Sequence, residues 1–106
     1  MKDINVKSVL DFLVKSKTDT TALIRLADIS SELGEVSKEV LKASDYGRDI
    51  TVLKDAASFK EEYGDLLFTV LALGIENDVD PSEALELVLK KYNTRLEKKG
   101  HIGSGN

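Results

Sequence analysis

Between Leu66 and Ile75 the chain reads LLFTVLALGI, which is apolar on nearly every side of a helix. A helix that is hydrophobic all round is buried all round. A chain of 106 residues has few elements with which to surround one. The segment is therefore expected at the centre of a bundle, with its outer face covered by another subunit. Leu66, Phe68, Leu71, Leu73 and Ile75 point in too many directions for three short helices to cover, and a soluble monomer rarely exposes such a patch. A homodimer at least is expected, with this helix at the interface.

The rest of the chain reads as helix too. A first segment, from about Asp3 to Lys17, carries Val6, Val9, Leu10, Leu13 and Val14 on one side, with Asp3 as its expected N-cap. Residues 17–21, KTDTT, prefer caps and turns to helix interiors. A second segment runs from about Thr20 to Ala43. At ~100° per residue its Leu26, Ile29, Leu33, Val36 and Val40 share one face. Asp28, Glu32, Glu35 and Glu39 gather on the flank of that face. The loop Ser44–Asp49 follows, and the third segment is expected to begin between Asp49 and Asp55 and to end near Asn77. Asp80-Pro81-Ser82-Glu83 combines an N-cap, a proline at the first helical position and a glutamate three residues after the cap, a strong helix start. The fourth segment should turn Leu85, Val88, Leu89, Tyr92 and Leu96 inward and end near Gly100. Ile50-Thr51-Val52 is the one β-branched cluster and is too short to build a sheet. The expectation is a single all-α domain over residues 1–100, a four-helix-type bundle completed by homodimerisation, with a flexible tail over 101–106.

Composition removes several kinds of chemistry. The chain has no cysteine, so it has no disulfide, thiolate metal site or cysteine nucleophile. Its one histidine, His101, lies near the C-terminus, poorly placed for a catalytic triad. A net charge of −4 and a pI near 5.0 oppose nucleic-acid binding. No apolar run approaches a membrane span, and the start MKDINVKS does not read as a signal peptide. A cytoplasmic protein is the expectation.

A short internal repeat is left. Glu32-Leu33-Gly34-Glu35 answers to Glu62-Tyr63-Gly64-Asp65 thirty residues later. Residues three apart share a helix face, so each segment projects a pair of carboxylates from one turn. If the two helices pack as an antiparallel hairpin, the pairs can face each other across the seam. Mid-helix glycines cost roughly 1 kcal/mol each relative to alanine, and close helix approach beside the acids is the simplest reason for Gly34 and Gly64. Four crowded carboxylates repel and call for a cation. Oxygen ligands suit Mg²⁺, Mn²⁺ or Ca²⁺, and the absence of a Glu-x-x-His motif removes a ferritin-type di-iron site. Glutamates at this spacing also occur on solvated helix faces, so the residues alone leave both readings open.

Glu32-x-x-Glu35, a spacer of twenty-six residues, Glu62-x-x-Asp65 and the run Glu61-Glu62-Tyr63-Gly64-Asp65-Leu66-Leu67-Phe68 resemble the MazG-like branch of the all-α NTP pyrophosphohydrolases. Lys91-Tyr92-Asn93-Thr94-Arg95 is similar to the basic step on that family's last helix. The resemblance spans residues 20 to 99. It implies a helical bundle formed by dimers, sometimes paired into tetramers. It also implies Mg²⁺-dependent hydrolysis of a nucleoside triphosphate between the α and β phosphates, with Mn²⁺ as a substitute. Glu32, Glu35, Glu62 and Asp65 would be the metal-binding and catalytic residues, and one glutamate would handle the attacking water. Lys91 and Arg95, at i and i+4, would hold the leaving pyrophosphate; their plain alternative is a basic patch at a helix C-terminus.

Two rivals remain. The phosphoribosyl-ATP pyrophosphohydrolases resemble the same bundle, but tend to carry a histidine shortly after the second motif, where this chain has Leu66-Leu67-Phe68-Thr69. The other is a non-catalytic dimerisation or regulatory module. Asp28 and Glu39 are expected to remain solvated or in salt bridges, and Lys60 to pair with a neighbouring acid. Tyr46 and Phe68 are the aromatics available for a base, with Phe68 better placed to pack at an interface.

Overall fold

The computed structural model describes residues 1–17, 20–49, 56–100 and 103. Four helices follow in order: α1 (Val6–Ser16), α2 (Ala22–Ala43), α3 (Ala57–Glu76) and α4 (Pro81–Lys99). There is no strand among the described residues, and no helix among them is long and apolar enough to cross a membrane. The Ile50-Thr51-Val52 cluster lies outside the described residues, as does the expected flexible tail apart from Gly103.

The helix ends follow local chemistry. Asp80 accepts from the backbone N–H of Ser82 (2.9 Å) and Glu83 (3.4 Å), Pro81 opens α4, and Gly100 closes it at a φ of 74°. Thr21 caps α2 by accepting from Ile24 N (3.2 Å). The cap of α1 is Asn5, which accepts from Ser8 N at 3.0 Å, and not Asp3. Asparagine caps as well as aspartate does, and the helix begins two residues later than its first acid suggested. Helix α3 starts at Ala57 behind Ala56, which makes no side-chain cap bond. The predicted start between 49 and 55 was too early, although most of that stretch lies outside the described residues.

The α2–α3 pair is antiparallel and forms the body of the chain. Arg25, Asp28, Ile29, Glu32, Val36, Glu39, Val40 and Ala43 are the buried or half-buried positions of α2. That face lies between the apolar stripe and the acid stripe. Leu26 and Leu33, on the far side of the apolar stripe, are each 53% exposed. Glu35, on the far side of the acids, is exposed as well. Helix α3 thus packs along the boundary between the two stripes and draws Asp28, Glu32 and Glu39 into the seam. From α3 the seam takes the small residues Thr69 and Ala72, both buried.

An ion-pair clamp closes one end. Arg25, 6% exposed, donates from Nε to Glu76 Oε1 (2.9 Å) and from Nη2 to Oε2 (2.8 Å). Thr20 Oγ1 donates to the same Oε2 (3.1 Å), and Asp28 meets Arg25 Nη1 at 3.4 Å. Beyond the other end of α2, buried Ser44 donates through Oγ to Val40 O and accepts from Gly47 N (3.1 Å). Asp45 and Tyr46 there adopt left-handed backbone, and Asp49 N returns to Ser44 O (2.8 Å).

The mid-helix glycines do not serve close approach within the chain: a Cβ on Gly34 or Gly64 would meet nothing within 4 Å. Helix α4 also departs from expectation. It touches α3 mainly near their shared turn, and Leu85, Leu89 and Leu96 remain at least half exposed. Between α3 and α4 lies an open apolar groove of about 590 Å³ that includes Leu67, Val70, Leu71, Ala84, Leu85 and Val88. Among the described apolar residues only Ala72 is fully buried. The chain exposes 8409 Å², where a compact 11.6 kDa monomer exposes roughly 5,800 Å². Its radius of gyration, 16.6 Å, exceeds the roughly 13 Å of a compact domain this long.

The clamp yields a stability prediction. Glu76→Gln takes the closer of two carboxylate partners from the buried Arg25 guanidinium, leaving Asp28 at 3.4 Å, and should cost about 3 kcal/mol. Replacing both partners by apolar residues should restore most of that loss. Hydrogen bonding from Arg25 holds the Glu76 carboxyl below the usual carboxylate range, against a smaller opposing effect of burial. A lowered folded-state pKa stabilises above the unfolded value and is lost as pH falls through the folded one. Wild type should therefore lose stability on acidification below the usual carboxylate range more steeply than the doubly apolar variant, as read by thermal melts across pH.

Candidate metal centre

The seam brings three of the four expected carboxylates together. One oxygen each from Glu32, Glu62 and Asp65 can be chosen so that all lie within 4.8 Å of one another. Glu32 reaches the seam because α3 packs at the edge of α2's acid stripe. Glu62 and Asp65 reach it because they occupy the same side of α3, one turn apart. Glu32 and Glu62 are half-buried and Asp65 is exposed, so the cluster opens to solvent on one side.

Glu35 stands outside the cluster, where Lys38 Nζ lies 3.6 Å from its carboxylate. Its charge still acts on the centre. The Glu62 carboxyl is pushed above the usual range, first by partial loss of hydration and then by the charges of Asp65, Glu35, Glu32 and Glu61. This direction is what crowded like charges produce. Three hard oxygen donors around one small volume fit a hard divalent cation better than a soft one.

Lys91 and Arg95 share a face of α4, where they line a shallow groove with Leu87, Lys90 and Thr94. The Lys91 ammonium also lies 5.4 Å from the Tyr92 ring centroid. Because α4 diverges from α3, the groove is not built into the seam that holds the acids. Asp28 and Glu39 are in salt bridges as expected, Asp28 with Arg25 and Glu39 with Lys42 at 3.9 Å. Sequence reasoning missed Arg25 and Glu76. The available signal was a lone arginine in line with the seam positions of α2, seven residues before Glu32.

Residues 20–99 match the family described as the MazG nucleotide pyrophosphohydrolase domain, and the chain belongs to that family. It is also 36% identical over 74 residues to the uncharacterized protein YpjD of Bacillus subtilis (strain 168). That match covers 69% of this chain and 65% of YpjD, so the chain spans a little under two thirds of its relative's length. No solved structure matches the chain.

Charge crowding gives the centre its own test. Asp65→Asn removes one repelling charge, so without metal the variant should melt no lower than wild type. The same change removes a hard anionic ligand, so Mg²⁺ should raise its melting temperature less than it raises that of wild type. An aspartate that merely supports its helix would give a lower metal-free melt and an unchanged Mg²⁺ response. Melts of both proteins in EDTA and in Mg²⁺ separate the two.

Proposed function

We propose that the protein is a Mg²⁺-dependent nucleoside triphosphate pyrophosphohydrolase that works as a homodimer, or as a pair of dimers. The observation that carries the reading is the convergence of Glu32, Glu62 and Asp65 across the α2–α3 seam of a MazG-family chain. In the reaction, a water oxygen bonds to the α phosphorus and the bond from that phosphorus to the bridging oxygen breaks. Nucleoside monophosphate and pyrophosphate leave, and the water's proton passes to a base. This chemistry needs positioning and charge neutralisation more than a covalent partner. Mg²⁺, when bound, supplies the charge neutralisation.

Glu32, Glu62 and Asp65 would hold the cation. A carboxylate engaged by a metal is a poor proton acceptor. Glu35 lies close enough for its charge to act on Glu62 yet outside the three-oxygen cluster, so it suits the task of orienting the water and taking its proton. Lys91 and Arg95 are the cations suited to the departing pyrophosphate, Arg95 through its planar fork and Lys91 as a point charge.

The assembly rests on surface. A single chain exposes roughly 2,600 Å² more than a compact monomer of its mass, the scale of an obligate interface. The excess is rich in Leu26, Leu33, Val70, Leu85, Leu87, Leu89 and Leu96. Membership of a family of nucleotide pyrophosphohydrolases supports this reading over a non-catalytic module.

Two measurements test it. Incubation with a panel of canonical, deoxy and modified triphosphates and Mg²⁺ or Mn²⁺ should release monophosphate and pyrophosphate, and EDTA should abolish release. Glu62→Gln should lower turnover a hundredfold or more, about 3 kcal/mol of transition-state stabilisation. Silence of the wild type across the panel would favour the module. Sedimentation should show a dimer or larger at micromolar concentration, and a monomer there would overturn the assembly.

A further inference from the structure

The acids and the cations that the hydrolytic reading needs stand on different elements, and the turn between those elements keeps them apart. Glu32, Glu62 and Asp65 lie at the α2–α3 seam, while Lys91 and Arg95 lie on α4. The direction of α4 is set where it leaves α3. Asn77 N and Val79 N both donate to Gly74 O (3.0 and 2.9 Å), and Asn77 Nδ2 donates to Leu73 O (2.8 Å). The Val79 carbonyl and the Pro81 ring pack against Gly74, where a Cβ would lie 3.4 and 3.8 Å from them. A turn fixed at this many points holds α4 away from α3 instead of letting it swing back over the seam.

The two cations also flank the face of α4 that lacks cover. At ~100° per residue, Leu85, Val88, Leu89, Tyr92 and Leu96 share one side, Arg95 borders that stripe and Lys91 comes next. Leu85, Leu89 and Leu96 are at least half exposed, so whatever covers the stripe meets Arg95 and Lys91 at its rim. Charge describes the cover. Residues 87–100 hold five basic residues against one acidic, and residues 22–76, which span the hairpin, hold six basic against eleven acidic. The end of α4 therefore suits a surface that is acidic beside apolar. The hairpin of a second copy is such a surface, with Leu26, Leu33 and Val70 exposed near its acids.

We propose that each site is completed across the subunit interface: Lys91 and Arg95 of one copy reach the pyrophosphate held at Glu32, Glu62 and Asp65 of the other. This rests on the hydrolytic reading and names which molecule supplies its cations. In a two-fold dimer the exchange is mutual, so two chains build two equal sites and one chain builds none. The departing pyrophosphate gains negative charge as its bond to the α phosphorus breaks, and the second copy's basic helix neutralises it there.

Complementation decides it. Two differently tagged chains are coexpressed, one carrying Glu62→Gln and the other Lys91→Gln with Arg95→Gln, and the mixed dimer is isolated through both tags. Arg95→Gln alone serves as a milder second form of the cation variant. Each variant by itself should hydrolyse triphosphate at least tenfold more slowly than wild type. The mixed dimer should recover about half of the wild-type rate, because one of its two sites joins intact acids to intact cations. If the cations act within their own chain, both sites of the mixed dimer carry a defect and nothing is recovered, which would overturn the proposal. An unchanged rate in the cation variant, or full activity in a monomer, would overturn it as well. Calorimetric titration with pyrophosphate and Mg²⁺ gives a readout free of turnover. The mixed dimer should bind about one pyrophosphate with wild-type affinity and the wild-type dimer about two; wild-type affinity at neither or both sites of the mixed dimer would count against a shared site. If wild type hydrolyses no triphosphate, the hydrolytic reading fails, and the titration still decides whether the site spans two chains.

Discussion

The arrangement depends on the two-point ion pair between Arg25 and Glu76. Helices α2 and α3 meet along a strip that holds Asp28, Glu32 and Glu39 on one side and Glu62 and Asp65 on the other, so charge opposes their contact at the centre. The guanidinium of Arg25, held in a fork by Glu76 and flanked by Thr20 and Asp28, fixes the register two turns of α2 away from Glu32. A planar fork restricts sliding in a way that a single ammonium contact does not. With the register set, Glu32 stands opposite Glu62 and Asp65 whether or not the carboxylates favour it. Partial loss of hydration and the neighbouring charges of Asp65, Glu35, Glu32 and Glu61 raise the proton affinity of Glu62, and a divalent cation in the seam would relieve that crowding.

Much of this order was legible in the residues. Asp80-Pro81 marks the start of α4 through groups that act within one turn of themselves, and the structure keeps it. The four helices and the convergence of three acids follow from periodicity together with one assumption, an antiparallel hairpin. The misses share a different cause. Periodicity shows that α2 has an apolar stripe and an acid stripe, but not that α3 settles on the boundary between them, which decides that Glu32 goes inward and Glu35 outward. A lone arginine reads as a solvated charge until a distant Glu76 is placed beside it. Ser44 reads as loop, although its hydroxyl closes the end of α2 from a buried position. The early cap assigned to Asp3 failed because two good cap formers lie two residues apart and local rules do not rank them.

Helix α4 shows where single-chain reasoning stops. Its leucines were expected inward because an amphipathic helix needs cover, and that need stands. Within the chain, however, α4 leaves α3 soon after the turn at Asn77–Asp80, and the apolar residues of both line an open groove. The same holds for Gly34 and Gly64, whose missing side chains give no closer packing inside this chain. Amphipathic pattern states that a face must be covered, and is silent on which molecule covers it.

The placement of the clamp also bears on how the hairpin comes together. Glu32 and Glu62 are thirty residues apart in sequence, whereas Arg25 and Glu76 are separated by 51. Chain-closure entropy grows with the logarithm of that separation, so the attractive pair costs about 0.5 kcal/mol more to bring together than the repulsive one. A hairpin that closes outward from its turn therefore meets the mutually repelling carboxylates before the ion pair that would hold it shut. A divalent cation held by these acids while the chain folds would relieve that early obstacle, and without one the barrier to forming the seam is set in part by the acids themselves.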